Sequence, residues 1–190
     1  MEISNQQQLD LIAQMIKSAQ RRFYDDSPYY ILWGSAVFIA SLVQYYLLWQ
    51  NDGNNAIGWA IVIPTAILIQ FFLINKQKKK EKFKTHLESV LVSMWIAFGI
   101  TLGVILFFSS KIGLNTYPII LCLYAITTFV SGGAFKIKAF VFGSIVCWIL
   151  AIIGFFVDFQ IQLLLLAVGV LFAFVIPGII LRLHEKAELI

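Results

Sequence analysis

Six long stretches of the chain contain no Asp, Glu, Lys, Arg or His, and this feature constrains the fold more than any other. Each stretch supplies close to the roughly 20 mostly apolar residues that a helix needs to cross about 30 Å of hydrocarbon. The sequence therefore predicts six transmembrane helices. They cover residues 29–49, 56–74, 89–108, 117–134, 139–157 and 161–181.

The overall composition supports a membrane protein of the all-α class. Hydrophobic residues make up 60% of the chain and charged residues 13%, against about 45–50% and about 25% in soluble domains. The runs are continuously apolar, whereas a transmembrane barrel alternates lipid-facing and polar residues. The predicted organisation is a cytoplasmic segment, 1–28, a six-helix bundle, 29–181, and a cytoplasmic tail, 182–190.

The positive charges predict the orientation of the bundle. Thirteen of the fourteen Lys and Arg residues fall in the N-terminal segment, in the loops after the second and fourth spans, and in the tail. Cytoplasmic loops carry this excess in membrane proteins, so both termini are predicted to be cytoplasmic. The net charge of +4 follows this pattern and is no indication of nucleic-acid binding.

The N-terminal segment contains an amphipathic helix at residues 9–24. Its apolar residues recur at spacings of three and four, with Arg21 on the opposite face and Arg22 at its border. Such a helix can lie at the membrane surface with its basic side chains towards anionic lipid headgroups. It can equally dock on a protein partner or on a second copy of the chain. The apolar residues are Leu9, Ile12, Met15, Ile16, Ala19 and Phe23.

A second basic cluster follows the second span and includes Lys78, Lys79 and Lys80. These lysines are candidates for contact with anionic lipids, each contributing about 1 kcal/mol near the surface. The simpler interpretation is that they only fix the orientation of the chain.

Small residues and prolines within the spans are candidates for helix packing. Gly99 and Gly103 form a GxxxG pattern, which lets two helices approach closely either within one chain or in a homodimer. Pro64 and Pro177 each remove a backbone hydrogen bond. They mark static kinks, or else broken helices whose freed carbonyls line a substrate site.

Four polar or amphipathic side chains lie inside spans and need hydrogen-bonding partners. These are Gln44, Thr65, Gln70 and Trp148. A contact with a neighbouring helix is the simpler interpretation, and a polar lining along a substrate path is the alternative.

The sequence contains few indications of an enzyme. No metalloprotease, nucleophile-elbow or phosphate-loop motif occurs, so we expect neither a catalytic site nor a cofactor or metal. The spans also lack the ionisable residue that pumps and proton-coupled carriers usually carry. This argues against coupled transport but leaves passive conduction open.

Several motifs are shared with one group of membrane proteins. They are Trp33-Gly34, residues 128–133 with the two lysines that follow, Trp148, and Ile176-Pro177-Gly178. In this combination the chain resembles uncharacterised small six-helix integral membrane proteins of Bacteroidetes-type bacteria. The resemblance implies a location in the bacterial inner membrane and carries no activity with it.

Two functional hypotheses follow. The first is a non-enzymatic scaffold, subunit or sensor partner that acts through protein contacts, as a homodimer or with a membrane or cytoplasmic protein. The second is a small transporter or channel for an uncharged or lipophilic solute. A structure with no cavity that reaches Pro64, Gln70 or Pro177 would count heavily against the second hypothesis.

The charge pattern makes a direct prediction about orientation. A reporter enzyme fused after Lys80 should show cytoplasmic activity, and one fused after Asp52 should show periplasmic activity, because the lysines stay on the cytoplasmic side. Periplasmic activity at Lys80 would contradict the predicted orientation.

Overall fold

A computed structural model describes residues 26–50, 56–77 and 86–187, and every regular element in these ranges is helical. The all-α class predicted from the sequence is therefore confirmed for this part of the chain. Its six long helices are α1 (Ser27–Trp49), α2 (Ile57–Gln77), α3 (His86–Phe107), α4 (Thr116–Phe135), α5 (Lys138–Gly154) and α6 (159–187). Short helical turns at Ser109–Ile112 and Gly113–Asn115 join α3 to α4.

Five of the described helices are long and apolar enough to cross a membrane. The exception is α5, which is apolar but has 17 residues, or about 25 Å at 1.5 Å per residue. It ends at Gly154, and the apolar residues Phe155 and Phe156 form a turn instead of the last part of the predicted span. Gln162 of α6 stabilises this turn by donating hydrogen bonds from Nε2 to the carbonyls of Gly154, at 3.0 Å, and Val157, at 3.1 Å.

The centre of the bundle consists of α1, α4, α5 and α6. The hairpin of α4 and α5 has the most extensive contact, and α6 packs against both of its helices and against α1. Fully buried side chains at this centre include Leu121, Phe140, Leu163 and Leu166.

Close approach between α5 and α6 depends on two glycines. A Cβ atom on Gly143 would collide with the backbone carbonyl of Phe172. A Cβ atom on Gly169 would lie 2.5 Å from a methyl carbon of Leu121 and 3.4 Å from the Cys147 sulfur. The Cys147 thiol donates to the Gly169 carbonyl at 3.3 Å. Small residues thus bring these backbones together, as is typical of helices packed in an apolar environment.

The start of α1 has a proline in its first turn, Pro28. Asp26, at the cap position, makes no side-chain capping hydrogen bond. At the start of α4, Asn115 also makes no such bond, and Thr116 instead donates from Oγ1 to the Gly113 carbonyl at 2.8 Å. Both residues at the cap position have helix-like backbone angles, with ψ near 0°, whereas a capping residue usually has extended geometry.

A π-helical turn, Leu171–Val175, interrupts α6 directly before Pro177. Since Pro177 has no N–H group, the carbonyl four residues earlier lacks its usual donor, and the helix accommodates this by widening. Pro177 is fully buried. A Cβ on the adjacent Gly178 would lie 2.8 Å from a side-chain carbon of Ile31, so this bend packs directly on α1.

The outer helices α2 and α3 are packed on one side only. Among the described elements, α2 packs on α1, and α3 packs on α4 and the turn at Ser109–Ile112, while α2 and α3 scarcely meet. About one tenth of the apolar window of each is buried, compared with about half in α6. The two helices therefore stand apart, and a cleft opens between them.

The Gly143 contact gives a test of the packing at the centre. Gly143→Ala should lower the stability of the fold by about 1–3 kcal/mol, because α5 and α6 must separate to accept the methyl group. Gly133→Ala is the matched control, since a Cβ there meets nothing within 4 Å. Thermal unfolding of the purified variants measures the difference, and equal midpoints would contradict the described packing.

Candidate ligand-binding cleft

The cleft between α2 and α3 has a volume of about 1390 Å³, larger than the roughly 300–1,000 Å³ of most ligand pockets. It begins beside Asp26 and Ile74 and extends to Ser109 and Phe159 at the opposite end of the bundle. Along α2 its lining residues run from Ala56 to Ile74, which is about 27 Å of helix. The cleft therefore follows almost the whole length of the bundle.

Ten aromatic residues are among those that line the cleft. Trp95 and Phe98 of α3 reach across to the floor, where the Trp95 ring lies 6.0 Å from Phe174 and the Phe98 ring 5.2 Å from Tyr124. Tyr30 of α1 completes this cluster, 6.0 Å from Trp95. Further aromatic residues of the lining are Tyr29, Trp33, Trp59, Tyr117 and Phe159.

Gln44 of α1 joins three helices at one end of the cleft. Its Oε1 atom accepts a hydrogen bond from Trp59 Nε1 of α2 and another from the Tyr117 hydroxyl of α4, both at 2.6 Å. A carbonyl oxygen has two lone pairs, so both are used. Because an indole N–H can only donate, these contacts also fix which end of the amide is the oxygen.

Gln70 of α2 occupies the corresponding position towards the other end. Its Oε1 atom accepts a hydrogen bond from Trp33 Nε1 of α1 at 2.8 Å. The two Trp–Gln pairs therefore run in opposite directions, with the tryptophan on α2 in one pair and on α1 in the other. Together they are the polar contacts that hold α2 against α1 along the cleft.

The spacing within each helix explains this reciprocal pairing. Trp33 and Gln44 are eleven positions apart on α1, and so are Trp59 and Gln70 on α2. Eleven residues are close to three helical turns, so both side chains lie on the same face of their helix. Two antiparallel helices with equal spacing can then form both pairs at once. Sequence analysis identified the glutamines but missed this repeat, which is visible in the sequence.

Each glutamine keeps an amide N–H₂ group for a further contact. Within the described residues, Gln44 and Gln70 make no hydrogen bonds other than those to Trp33, Trp59 and Tyr117. The Gln44 side chain is only 5% exposed, yet its nitrogen is not among the fully enclosed polar atoms without a partner. The Gln44 nitrogen therefore keeps some accessible surface, and both glutamines line the cleft.

The lining carries almost no charge. Of the described residues that line the cleft, Asp26 is the one Asp, Glu, Lys, Arg or His, and it lies at one end. The described residues also contain no group of three or more His, Cys, Asp or Glu side chains that could hold a metal ion. The arrangement can thus accommodate an uncharged apolar molecule and orient its hydrogen-bond acceptors.

The structure places the other candidate residues differently. Gly99 lines the cleft, as Gln44 and Gln70 do. Gly103 is exposed, and a Cβ on either Gly99 or Gly103 would meet nothing within 4 Å. This GxxxG pair therefore makes no close contact within the described helices. Its use in a homodimer, the other alternative, stays a prediction.

Pro64 and Thr65 are exposed on the side of α2 that does not line the cleft. Thr65 donates to the Ile61 carbonyl of its own helix at 2.8 Å. Trp148 lies on α5, outside the cleft, with its ring 5.3 Å from that of Phe129. Pro177 is buried against α1 and does not reach the cleft either.

The basic candidates lie outside the described residues. This holds for Arg21, Arg22 and the whole amphipathic segment, and also for Lys78, Lys79 and Lys80. Their contact with anionic lipids stays a prediction.

The chain was compared with known protein families, curated proteins and solved structures. No protein-family profile, curated protein or solved structure matches this chain.

The Gln44 network can be tested through stability. Gln44→Leu removes the acceptor of two donors and should cost about 1–2 kcal/mol. Thr65→Val is the control and should change stability by less than about 0.5 kcal/mol, since that hydroxyl bonds only to its own helix.

A double-mutant cycle with Tyr117→Phe separates this bond from general packing. The two changes should be less than additive by about 0.5–1.5 kcal/mol in the free energy of unfolding. Strict additivity would show that Tyr117 and Gln44 do not interact.

Proposed function

We propose that the chain is a multi-pass protein of a bacterial inner membrane, with six spans and both termini in the cytoplasm. Five helices of sufficient length and hydropathy support this, as do the charge pattern and the resemblance described above. We count α5 as the sixth span, because a helix a few ångströms short is accommodated by local thinning of the bilayer at modest cost.

Within that membrane, the proposed function is to take up an uncharged, lipophilic molecule in the cleft and to let it move along the cleft. The single observation that carries this proposal is the buried Gln44 amide, whose oxygen is saturated and whose nitrogen is a free donor beside an aromatic cleft of about 1390 Å³. An unmet donor in apolar surroundings is costly. It favours an occupant with an acceptor atom.

A small molecule fits the walls better than a partner helix does. Helices that pack in lipid meet through small residues, whereas this cleft is lined by large rings such as Trp33, Trp59 and Trp95. The backbone carbonyls of a partner helix are also used within that helix. Such a helix therefore has few acceptors to offer Gln44 and Gln70.

The scaffold or subunit function is the second candidate, and the exposed face of α3 favours it. Gly99 and Gly103 leave open space around their backbone, which is what a close contact with a second copy requires. Because Gly99 also lines the cleft, such a contact would extend to the edge of the cleft. Both proposals describe a protein without enzymatic activity.

Filling the cleft tests the first proposal. In lipid nanodiscs, radiolabelled methyl hexadecanoate should bind to the protein above its partition into empty discs. The double variant Ile63→Trp, Leu102→Trp should reduce this binding at least about tenfold, because both side chains line the cleft.

The matched control is Ile61→Trp, Ile100→Trp, which adds the same bulk two positions earlier on each helix. Ile61 is 60% exposed and Ile100 is 65% exposed, and neither lines the cleft. The control should retain binding. Equal binding by both double variants would contradict uptake into the cleft.

A further inference from the structure

The two Trp–Gln pairs divide the cleft into two stations that are built in the same way. The Gln44 station contains Trp59 and Tyr117, and the Gln70 station contains Trp33. Eleven residues separate the stations along each helix, which corresponds to about 16 Å. Because both stations line one cleft, a single occupant can interact with either of them.

Each station offers a hydrogen-bond donor to an occupant. Its glutamine oxygen accepts from an indole, and its amide N–H₂ group, which only donates, remains available. The Gln44 oxygen has both lone pairs in use, whereas the Gln70 oxygen keeps one. A ligand group that accepts without donating, such as the carbonyl of an ester or a quinone, complements the amide N–H₂ group best. An ammonium group offers only donors and is a poor match.

The charge of the lining narrows the ligand further. No Lys, Arg or His is found among the described residues that line the cleft, so a phosphate or carboxylate would lose its hydration there without gaining a cationic partner. The ring-lined wall between the stations suits an apolar chain or a flat ring. A head group that carries no charge therefore fits both stations.

The stations differ in access. Gln44 is 5% exposed, whereas Gln70 is half-buried. The Gln44 oxygen also accepts a second hydrogen bond, from the Tyr117 hydroxyl. The Gln70 station is therefore the more open of the two, and the Gln44 station is the more rigid. A head group can enter at Gln70 and be held in a fixed orientation at Gln44.

We propose that the cleft binds a long-chain lipophile with an uncharged carbonyl head in two alternative poses, with the head at Gln44 in one and at Gln70 in the other. This inference rests on the proposed function, since it assumes uptake into the cleft. The tail lies along the aromatic wall in both poses. Exchange between the poses moves the head about 16 Å along the bundle.

A quinone reports where the head lies, because it quenches a nearby tryptophan. Three single-tryptophan proteins retain only Trp33, only Trp59 or only Trp148, with the other tryptophans replaced by Phe. In nanodiscs, decyl-1,4-benzoquinone should quench Trp33 and Trp59 with saturation. Trp148, which lies outside the cleft, should show only the weak, linear quenching of a lipid-facing ring.

Substitution of each glutamine should then act on its own station. Gln44→Leu should weaken quenching of Trp59 about tenfold and leave quenching of Trp33 within about twofold, and Gln70→Leu should do the reverse. A merely structural role would weaken both stations together and would overturn the inference. Circular dichroism and gel filtration confirm that each variant is folded.

Competition separates carbonyl recognition from uptake of any lipophile. Methyl hexadecanoate should displace the quinone from both stations, whereas heptadecane and hexadecyl phosphate should not. Displacement by heptadecane as effectively as by the ester would overturn the carbonyl assignment while leaving the proposed function standing. If the ester does not displace the quinone, the ligands of the cleft are restricted to conjugated rings. That result would also overturn the carbonyl assignment. Failure of the cleft-filling variants described above would instead overturn the proposed function.

If the single-tryptophan proteins do not fold, 5-fluorotryptophan in the otherwise native chain provides the same readout. The ¹⁹F resonances of Trp33 and Trp59 should shift with the quinone and with the ester, and that of Trp148 should not. Shifts confined to one of the two stations would contradict the two-pose inference.

Discussion

A side-chain amide that is removed from water has to find partners inside the protein, and Gln44 shows how this requirement shapes the fold. Its oxygen accepts from Trp59 and Tyr117, which belong to two different helices. These bonds link α2 and α4 to α1. With Trp33 and Gln70 forming the reciprocal contact further along, α2 is aligned on α1 and stands away from α3. The cleft is a consequence of that alignment.

Much of the architecture could be predicted because hydropathy acts over whole helices. The all-α class and the long apolar helices follow from uninterrupted apolar runs, and Gln44 and Gln70 were recognisable as polar residues that need partners. The partners were not predicted, because a hydrogen bond between helices depends on which faces meet. The equal spacing of Trp33–Gln44 and Trp59–Gln70 contains that information, but only once α1 and α2 are known to be antiparallel neighbours.

The glycine and proline motifs were less reliable guides to helix contacts than hydropathy was to the helices themselves. Gly99 and Gly103 match the GxxxG pattern but have open space beside them, whereas Gly143 and Gly169, which are not part of a GxxxG pair, make the close contacts of α5 and α6. Pro64 and Pro177 both interrupt helical hydrogen bonding, yet neither reaches the cleft. A glycine permits a close helix contact and a proline permits a bend. Whether a contact forms at that position depends on which helix lies next to it.

The central claim is that an uncharged molecule with an acceptor atom occupies the cleft beside Gln44. An experimental structure of the protein in native lipid tests it most directly. Elongated density is expected between α2 and α3, with an atom within hydrogen-bonding distance of Gln44 Nε2. Contact of α2 with α3 in an empty, closed cleft, or a helix of a second copy filling it, would rule out an occupant of this kind.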